Sequence, residues 1–386
     1  MRVFPLLLAG LLGSALAGYG QGLPAGQTKE TKPPKNLTIL PVPVLFYQQE
    51  TGVGYGLGGL LSGRIGPDTA TRNSNVRVQY WTTEKKQSLL QFVHTVYSPG
   101  EKYYINGEIS YYKTALYYYG IGNDTRKEDE SVVSYNNFIL NQRIEKSIAH
   151  NLFVGVQYRF TRVSAIETDD KNTAENALNF FKYNNSRLDN RQRQPTNISG
   201  VGPVITFDSR DIALAAFHGN LLDLSVMFNE RGVGSDYAFV RYQIDARHFQ
   251  PVFSDKTILA LQFLGQFHSG DVPFRELAGI GANLGGTLYN NANVLRGVYE
   301  QRFRDRQLLV LQAELRQHLF WRIDGAAFAS AGQVGYNLSD FTGDGTHVAG
   351  GLGARFAFIR KDRVNLRLDY AFGSAPGIYF AIGEAF

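Results

Sequence analysis

Alternate positions from residue 152 carry Leu152, Val154, Val156, Tyr158 and Phe160, with Gly155, Gln157, Arg159 and Thr161 between them. A period of two with one apolar and one polar face describes a half-buried β-strand. The same pattern recurs from residue 37 onward in about sixteen segments of about ten residues, with hardly any helical periodicity. They fall at 37–48, 53–63, 75–83, 88–98, 103–112, 135–144, 152–161, 199–208, 221–228, 237–247 and 258–268. The rest fall at 309–316, 325–335, 348–358, 364–372 and 378–386.

Soluble sandwiches and propellers use strands of about five or six residues, shorter than these. Segments of this length and even number predict an all-β fold, a transmembrane antiparallel barrel of about 16 strands. The connections alternate between short (98–101, 146–149, 360–362) and long (115–131, 162–197, 269–293). Short turns face the periplasm and long loops face outward in such barrels, which places both termini in the periplasm. Aromatic residues near strand ends, among them Tyr103, Tyr104, Tyr117, Tyr118, Tyr119, Phe380 and Phe386, are expected to form the interfacial girdles.

The first residues are organised differently. Arg2, an apolar stretch at 3–12 and Ala15-Leu16-Ala17 read as a secretory signal with a small-x-small cleavage site. Residues 1–17 are therefore assigned as signal peptide, 18–36 as a polar periplasmic linker and 37–386 as the outer-membrane barrel. The chain has no Cys among its 386 residues, which removes disulfides, thiolate metal sites and a cysteine nucleophile. Its net charge of +5 is spread in both signs, so no nucleic-acid-binding patch is expected.

Motifs of known chemistry are few. Gly54, Gly56 and Gly59 fit G-x-G-x-x-G, but a dinucleotide site needs a strand before the motif and a helix after it. Here the glycines fall within a strand pattern. The serine of the 59–63 segment is one place off a nucleophile elbow, and no H-E-x-x-H occurs. No catalytic group, cofactor or metal site is expected. The inward faces carry Arg77, Glu108, Arg143, Arg159, Asp223, Arg241, Asp245, Arg247, Glu314, Arg316, Arg367 and Asp369, a mixed-sign wall.

The long segment before residue 294 contains Leu284-Gly285-Gly286 and leads to Leu295-Arg296-Gly297-Val298, after which the chain becomes an amphipathic strand. A guanidinium can grip a carboxylate with two parallel bonds, and Gly297 allows a sharp turn beside it.

On these residues the chain resembles the BamA/TamA superfamily of outer-membrane barrels, the bacterial surface antigen family. Leu295, Arg296, Gly297 and Val298 are similar to its V/I/L-R-G-F/Y motif, which lies on a long extracellular loop folded into the lumen. Residues 118–125 resemble its tyrosine-glycine-asparagine loop. Asp208, Arg210 and Asp211 resemble its D-x-R-D turn, and the final strand ends in Phe386 like the signal that barrel-assembly machinery reads.

The family often places an Asp in an F-x-D-x-G strand to receive the motif arginine. This chain has Phe328-Ala329-Ser330-Ala331-Gly332, so Ser330 stands at that position and Glu314 is the expected partner of Arg296. Relatives that insert or secrete proteins carry periplasmic POTRA domains, and the 18–36 linker is expected to be too short to hold one. A separate periplasmic partner is the expected substitute.

In the family, insertases work through a weak seam between first and last strands. Pro41 and Pro43 lie two apart in the first strand, so both missing N–H groups point to the same neighbour. If that neighbour is the last strand, the seam with Phe386 loses two ladder bonds; if it is the second strand, the hint disappears. The resemblance implies an assembly factor for proteins or lipid, with outer-membrane lipid and lipopolysaccharide around it and barrel-assembly machinery inserting it. The alternative is a passive pore or structural membrane protein with a plugged lumen.

Overall fold

The computed structural model describes residues 37–48, 52–67, 71–168, 194–282, 294–360 and 363–386. The signal and linker assigned to 1–36, the Leu284-Gly285-Gly286 stretch and residues 361–362 lie outside the described residues. The strands are β1 (Leu37–Gln48), β2 (Gly52–Gly63), β3 (Ser74–Thr83), β4 (Ser88–Tyr97), β5 (Tyr103–Tyr118), β6 (Ser131–Ala149), β7 (Leu152–Thr168), β8 (Thr196–Asp208) and β9 (Gly219–Asn229). They continue with β10 (Phe239–Val252), β11 (Ser254–Gly270), β12 (Ala278–Ile280), β13 (Phe303–Asp305), β14 (Gln307–Phe320), β15 (Ile323–Gly335), β16 (His347–Ile359), β17 (Val364–Phe372) and β18 (Gly377–Ile382).

Sixteen of them form one antiparallel sheet in chain order, β1 to β11 followed by β14 to β18, while β12 and β13 pair separately inside the β11–β14 connection. The sheet curls until β18 lies against β1. Several strands outrun their sequence patterns: β5, β6 and β7 run 16, 19 and 17 residues. The pattern at 146–149 is strand, and the turn there is His150-Asn151. The last strand is shorter than expected, ending at Ile382.

The partition of side chains is inverted relative to a water-soluble protein. Outward positions hold exposed Leu57, Ile144, Val156, Leu311, Val348 and Leu352, whereas inward positions hold buried Gln91, Glu108, Arg143, Asp245, Glu314 and Asp369. Exposed apolar surface of this extent needs a hydrocarbon surround. Several of the buried inner charges are paired, among them Arg143 with Asp223 at 2.6 Å and Arg247 with Asp245 at 2.7 Å. No helix among the described residues is long and apolar enough to cross a membrane.

Two features of the connections shape the lumen. At the loop end, the β11–β14 connection enters the barrel and buries Ala278, Ile280, Val294, Leu295, Val298 and Phe303 against Leu264, Leu308, Val310, Val334 and Ala349. The tyrosines expected in the girdle are recruited here: Tyr118 packs in the cluster of Phe274 and Leu277, and Tyr119 donates to Glu130 at 2.6 Å. At the turn end, the segment between β8 and β9 reaches across the mouth. Its Leu214 packs with Leu40, Leu60, Val364, Phe380 and Ile382, and its Asp211 accepts a hydrogen bond from Arg363 just before β17.

Burial alone would raise the Asp211 carboxyl; the Arg363 hydrogen bond and the Phe217 amide outweigh it and hold it below the usual carboxylate range. A depressed folded-state value contributes stability above the unfolded value of about 3.9, lost as pH falls through the folded one. In denaturant titrations, the wild-type advantage over Asp211→Asn is therefore expected at about pH 5 and to shrink as the pH falls below about 3.9. A pH-independent difference between the two proteins would contradict this origin.

Candidate functional site

The site is built where the β11–β14 connection touches the inner wall formed by β14, β15, β17 and β18. Leu295 and Gly297 both adopt positive φ, +52° and +101°, flanking Arg296 in a tight turn. At Gly297 no side chain fits: a Cβ would fall 2.7 Å from the Phe372 carbonyl oxygen. That close approach lets the Gly297 carbonyl accept from the Ala375 N–H at 2.8 Å, and the Gly297 N–H donate to the Tyr379 hydroxyl at 2.9 Å.

The turn aims Arg296 away from the loop and into the wall, where its side chain is fully buried. One arm of the guanidinium reaches Glu314 of β14 (Nη2 to Oε2, 2.6 Å) and the other reaches Asp369 of β17. The plane lies 3.5 Å over the Phe328 ring. A planar fork can bridge two carboxylates on different strands; an ammonium, a compact point charge, cannot reproduce that geometry.

The two carboxylates are shared with other arginines. Glu314 accepts from Arg316 Nε at 2.8 Å and Arg355 Nη2 at 3.0 Å. Asp369 accepts from Arg355 and lies 3.5 Å from Arg367 Nη1. Glu384 accepts from Arg355 Nε at 3.0 Å. Four arginines thus face three carboxylates, Glu314, Asp369 and Glu384. Charges buried this deeply persist only when paired and hydrogen-bonded.

A second anchor holds the same loop. Glu276 pairs with Arg159 of β7 through both carboxylate oxygens. Burial pushes its carboxyl up, but the neighbouring charges of Arg159, Arg241 and Arg275 outweigh this and keep it below the usual range. Further along, the 118–125 loop clamps the 302–304 run. The Gly122 N–H donates to the Arg304 carbonyl at 2.9 Å, and Arg302 donates to Thr125.

The structure thus brings Arg296, Gly297 and Glu314 together and adds Asp369. The alternation placed Asp369 inward; nothing local distinguished it from other lining charges. Ser330 does not touch Arg296. Its hydroxyl donates to Gln312 Oε1 at 3.0 Å, and that oxygen also accepts the Leu295 N–H. The residues flanking Ser330 still serve the loop: Phe328 stacks on Arg296, and the bare face of Gly332 lies against Leu295. Val298, at the motif's fourth position, is buried in the loop's apolar cluster. The turn motif folds on itself, Asp208 receiving two 2.9 Å bonds from Arg210 and lying 3.2 Å from Arg72. Among the described residues no His, Asp and Glu are grouped so as to hold a metal ion.

The seam differs from the expectation at one residue. Phe386 is not in the last strand: the chain leaves β18 after Ile382 and turns at Gly383 (φ +84°), and Phe386 is buried with Phe249, Ala216 and Ala260. At the other edge, the β1–β2 register runs unbroken through Pro41↔Gly59 and Pro43↔Leu57. In an antiparallel ladder each residue bonds its partner with both groups or turns both to the other side. A proline in a bonded pair would interrupt the ladder, so both ring nitrogens face β18. Among the described residues no ladder joins β1 to β18. Contact there is by side chains, through the cluster of Leu40, Leu60, Val364, Phe380 and Ile382.

Comparisons agree with this architecture. Residues 71–386 match the Omp85 superfamily domain. Among solved structures, BamA from Haemophilus ducreyi lacking POTRA domains 1–3 is similar at 14% identity and a TM-score of 0.53. The match covers 90% of this chain and 69% of that one. CdiB from Acinetobacter baumannii is similar at 12% identity and TM-score 0.54, covering 90% and 59%. CdiB from Escherichia coli gives 12% and 0.55, covering 92% and 62%. The chain therefore spans less than two thirds of either CdiB chain. No curated protein matches in sequence.

Arg296→Ala leaves Glu314 and Asp369 short of a partner in a buried site, an expected cost of about 3–5 kcal/mol, with the loop released to protease. Gly297→Ala is expected to loosen the same turn by about 1–3 kcal/mol, through strain at positive φ and the clash with Phe372. Loop proteolysis and thermal melting in detergent check both; wild-type resistance in Arg296→Ala would remove the guanidinium as the anchor.

Proposed function

Because the chain belongs to the Omp85 superfamily, whose members are outer-membrane β-barrels, we propose that it aids the insertion or translocation of proteins, or of lipid, at the outer membrane. The route is the seam between β1 and β18, with the turn end facing the periplasm. A periplasmic partner delivers the client to that mouth, barrel-assembly machinery inserts the chain itself, and outer-membrane lipid and lipopolysaccharide surround the wall.

The observation that carries this reading is the contrast between the seam and every other strand boundary. Neighbouring strands elsewhere are joined by ladders, such as the twelve pairs of β1–β2. At the seam two prolines turn blank positions towards β18, and an apolar cluster makes the contact. A backbone hydrogen bond contributes roughly 1 kcal/mol net, so the boundary without a ladder is the one that opens at least cost. A client strand offers the unpaired edges their missing partners, as in β-strand addition.

A second reading draws on the filled lumen: a plugged barrel that serves as a structural protein or passive pore, held shut by Arg296 and Glu276. It requires no moving seam.

The test uses the absence of native Cys. Val44→Cys and Ala381→Cys place thiols on β1 and β18 around one small cavity, where a short cross-linker joins them alone. Cells depending on the cross-linked protein are expected to lose other barrels from their outer membrane, with recovery when the linker is cleaved. Undiminished levels of those barrels in the locked state would falsify the seam as the route. A large, steady conductance in planar bilayers would favour the pore.

A further inference from the structure

The segment after β18 is held inside the lumen by five polar contacts. The Gly383 N–H donates to the Asn365 carbonyl at 2.8 Å and the Glu384 N–H to the Leu214 carbonyl at 3.3 Å. Glu384 accepts from Asn365 Nδ2 at 2.7 Å and from Arg355 Nε at 3.0 Å. The Phe386 carbonyl accepts from Arg316 Nη2 at 3.1 Å. The Phe386 ring adds an apolar anchor beside Phe249 and Ala260.

Arg316 and Arg355 therefore hold two things at once. On one side they grip the segment that continues β18, one edge of the seam. On the other they bond Glu314, and Arg355 also bonds Asp369. These are the two carboxylates that clasp Arg296.

We infer that residues 383–386 are a latch coupling the seam to the loop: Glu384 is a positioning residue whose presence among the arginines keeps Arg296 clasped. When β18 swings away it withdraws Glu384, and four arginines are left facing Glu314 and Asp369 alone. Arg316 and Arg355 then draw on the two carboxylates that Arg296 needs, and repulsion among the guanidinium groups rises. The loop is released as the seam opens. Linkage makes the effect reciprocal: releasing Arg296 leaves its carboxylates to Arg355 and Arg316, which then hold Glu384 less tightly.

The inference deepens the seam reading and rests on it for its purpose, but its test needs no client. The full chain is reconstituted in vesicles of phosphatidylethanolamine and phosphatidylglycerol, and folding of each variant is checked by heat-dependent gel mobility. Glu384→Gln keeps the shape and removes the charge. It is expected to speed tryptic cleavage within 275–306 by about tenfold, inside the usual range of allosteric coupling. Spin labels on Val44→Cys and Ala381→Cys are expected to show a wider, longer distance distribution in Arg296→Ala. Phe386→Ala, which leaves every charge in place, tests the apolar anchor and is expected to move both readouts in the same direction.

The latch is overturned if Glu384→Gln keeps wild-type cleavage while Arg296→Ala is cut faster, or if the label distances in Arg296→Ala match wild type. Either result leaves the client assay free to succeed, and failure of the client assay leaves the coupling intact.

Discussion

The arrangement depends on one buried cation held between two carboxylates from different strands. Arg296 reaches Glu314 on β14 and Asp369 on β17, so a single side chain ties a long inserted loop to two parts of the wall. Its strength comes from what happens when it is broken, because a charge taken out of water has nowhere else to go. The loop backbone is shaped around this need. The turn at Gly297 brings the chain close enough to β17 and β18 for main-chain and hydroxyl bonds to accompany the ion pairs.

Around that clasp the barrel solves two problems at once. Its outer surface must match hydrocarbon, so polarity is driven inward, where backbone ladders already satisfy the main chain. Many of the inward charges are buried there and are satisfied by one another. The pairs of Arg143 with Asp223, Arg159 with Glu276 and the Arg296 cluster are the result. The seam is where the first solution is incomplete: prolines withhold donors at one edge and the last strand ends after six residues. What remains there is side-chain packing and the segment that follows.

Much of this could be read before any coordinates. Alternation located every strand of the barrel, because a wall facing lipid on one side and charge on the other writes its period into the sequence. Glu314 emerged by the same parity once Ser330 was seen to lack a carboxylate. Asp369 was visible as an inward charge, yet its contact with Arg296 spans 73 residues, and nothing short-range selects it among a dozen similar residues. Glu276 was missed altogether, since it lies in a connection without periodicity. Tyr118 and Tyr119 obeyed the composition rule for girdles, yet Tyr118 packs against Phe274 of the inserted loop and Tyr119 bonds Glu130 of its own connection.

The sequence by itself determined the all-β class, the inward and outward faces and the unusual first strand, because each is written in local spacing or in a residue's own backbone chemistry; the loop's motif was marked by its resemblance to a known family. Only the tertiary structure decided which carboxylates clasp Arg296, that both proline nitrogens face β18, and that Phe386 leaves the strand for the lumen. Those outcomes depend on strand register around the wall and on competition among arginines for few acidic partners, and neither is encoded within any one segment.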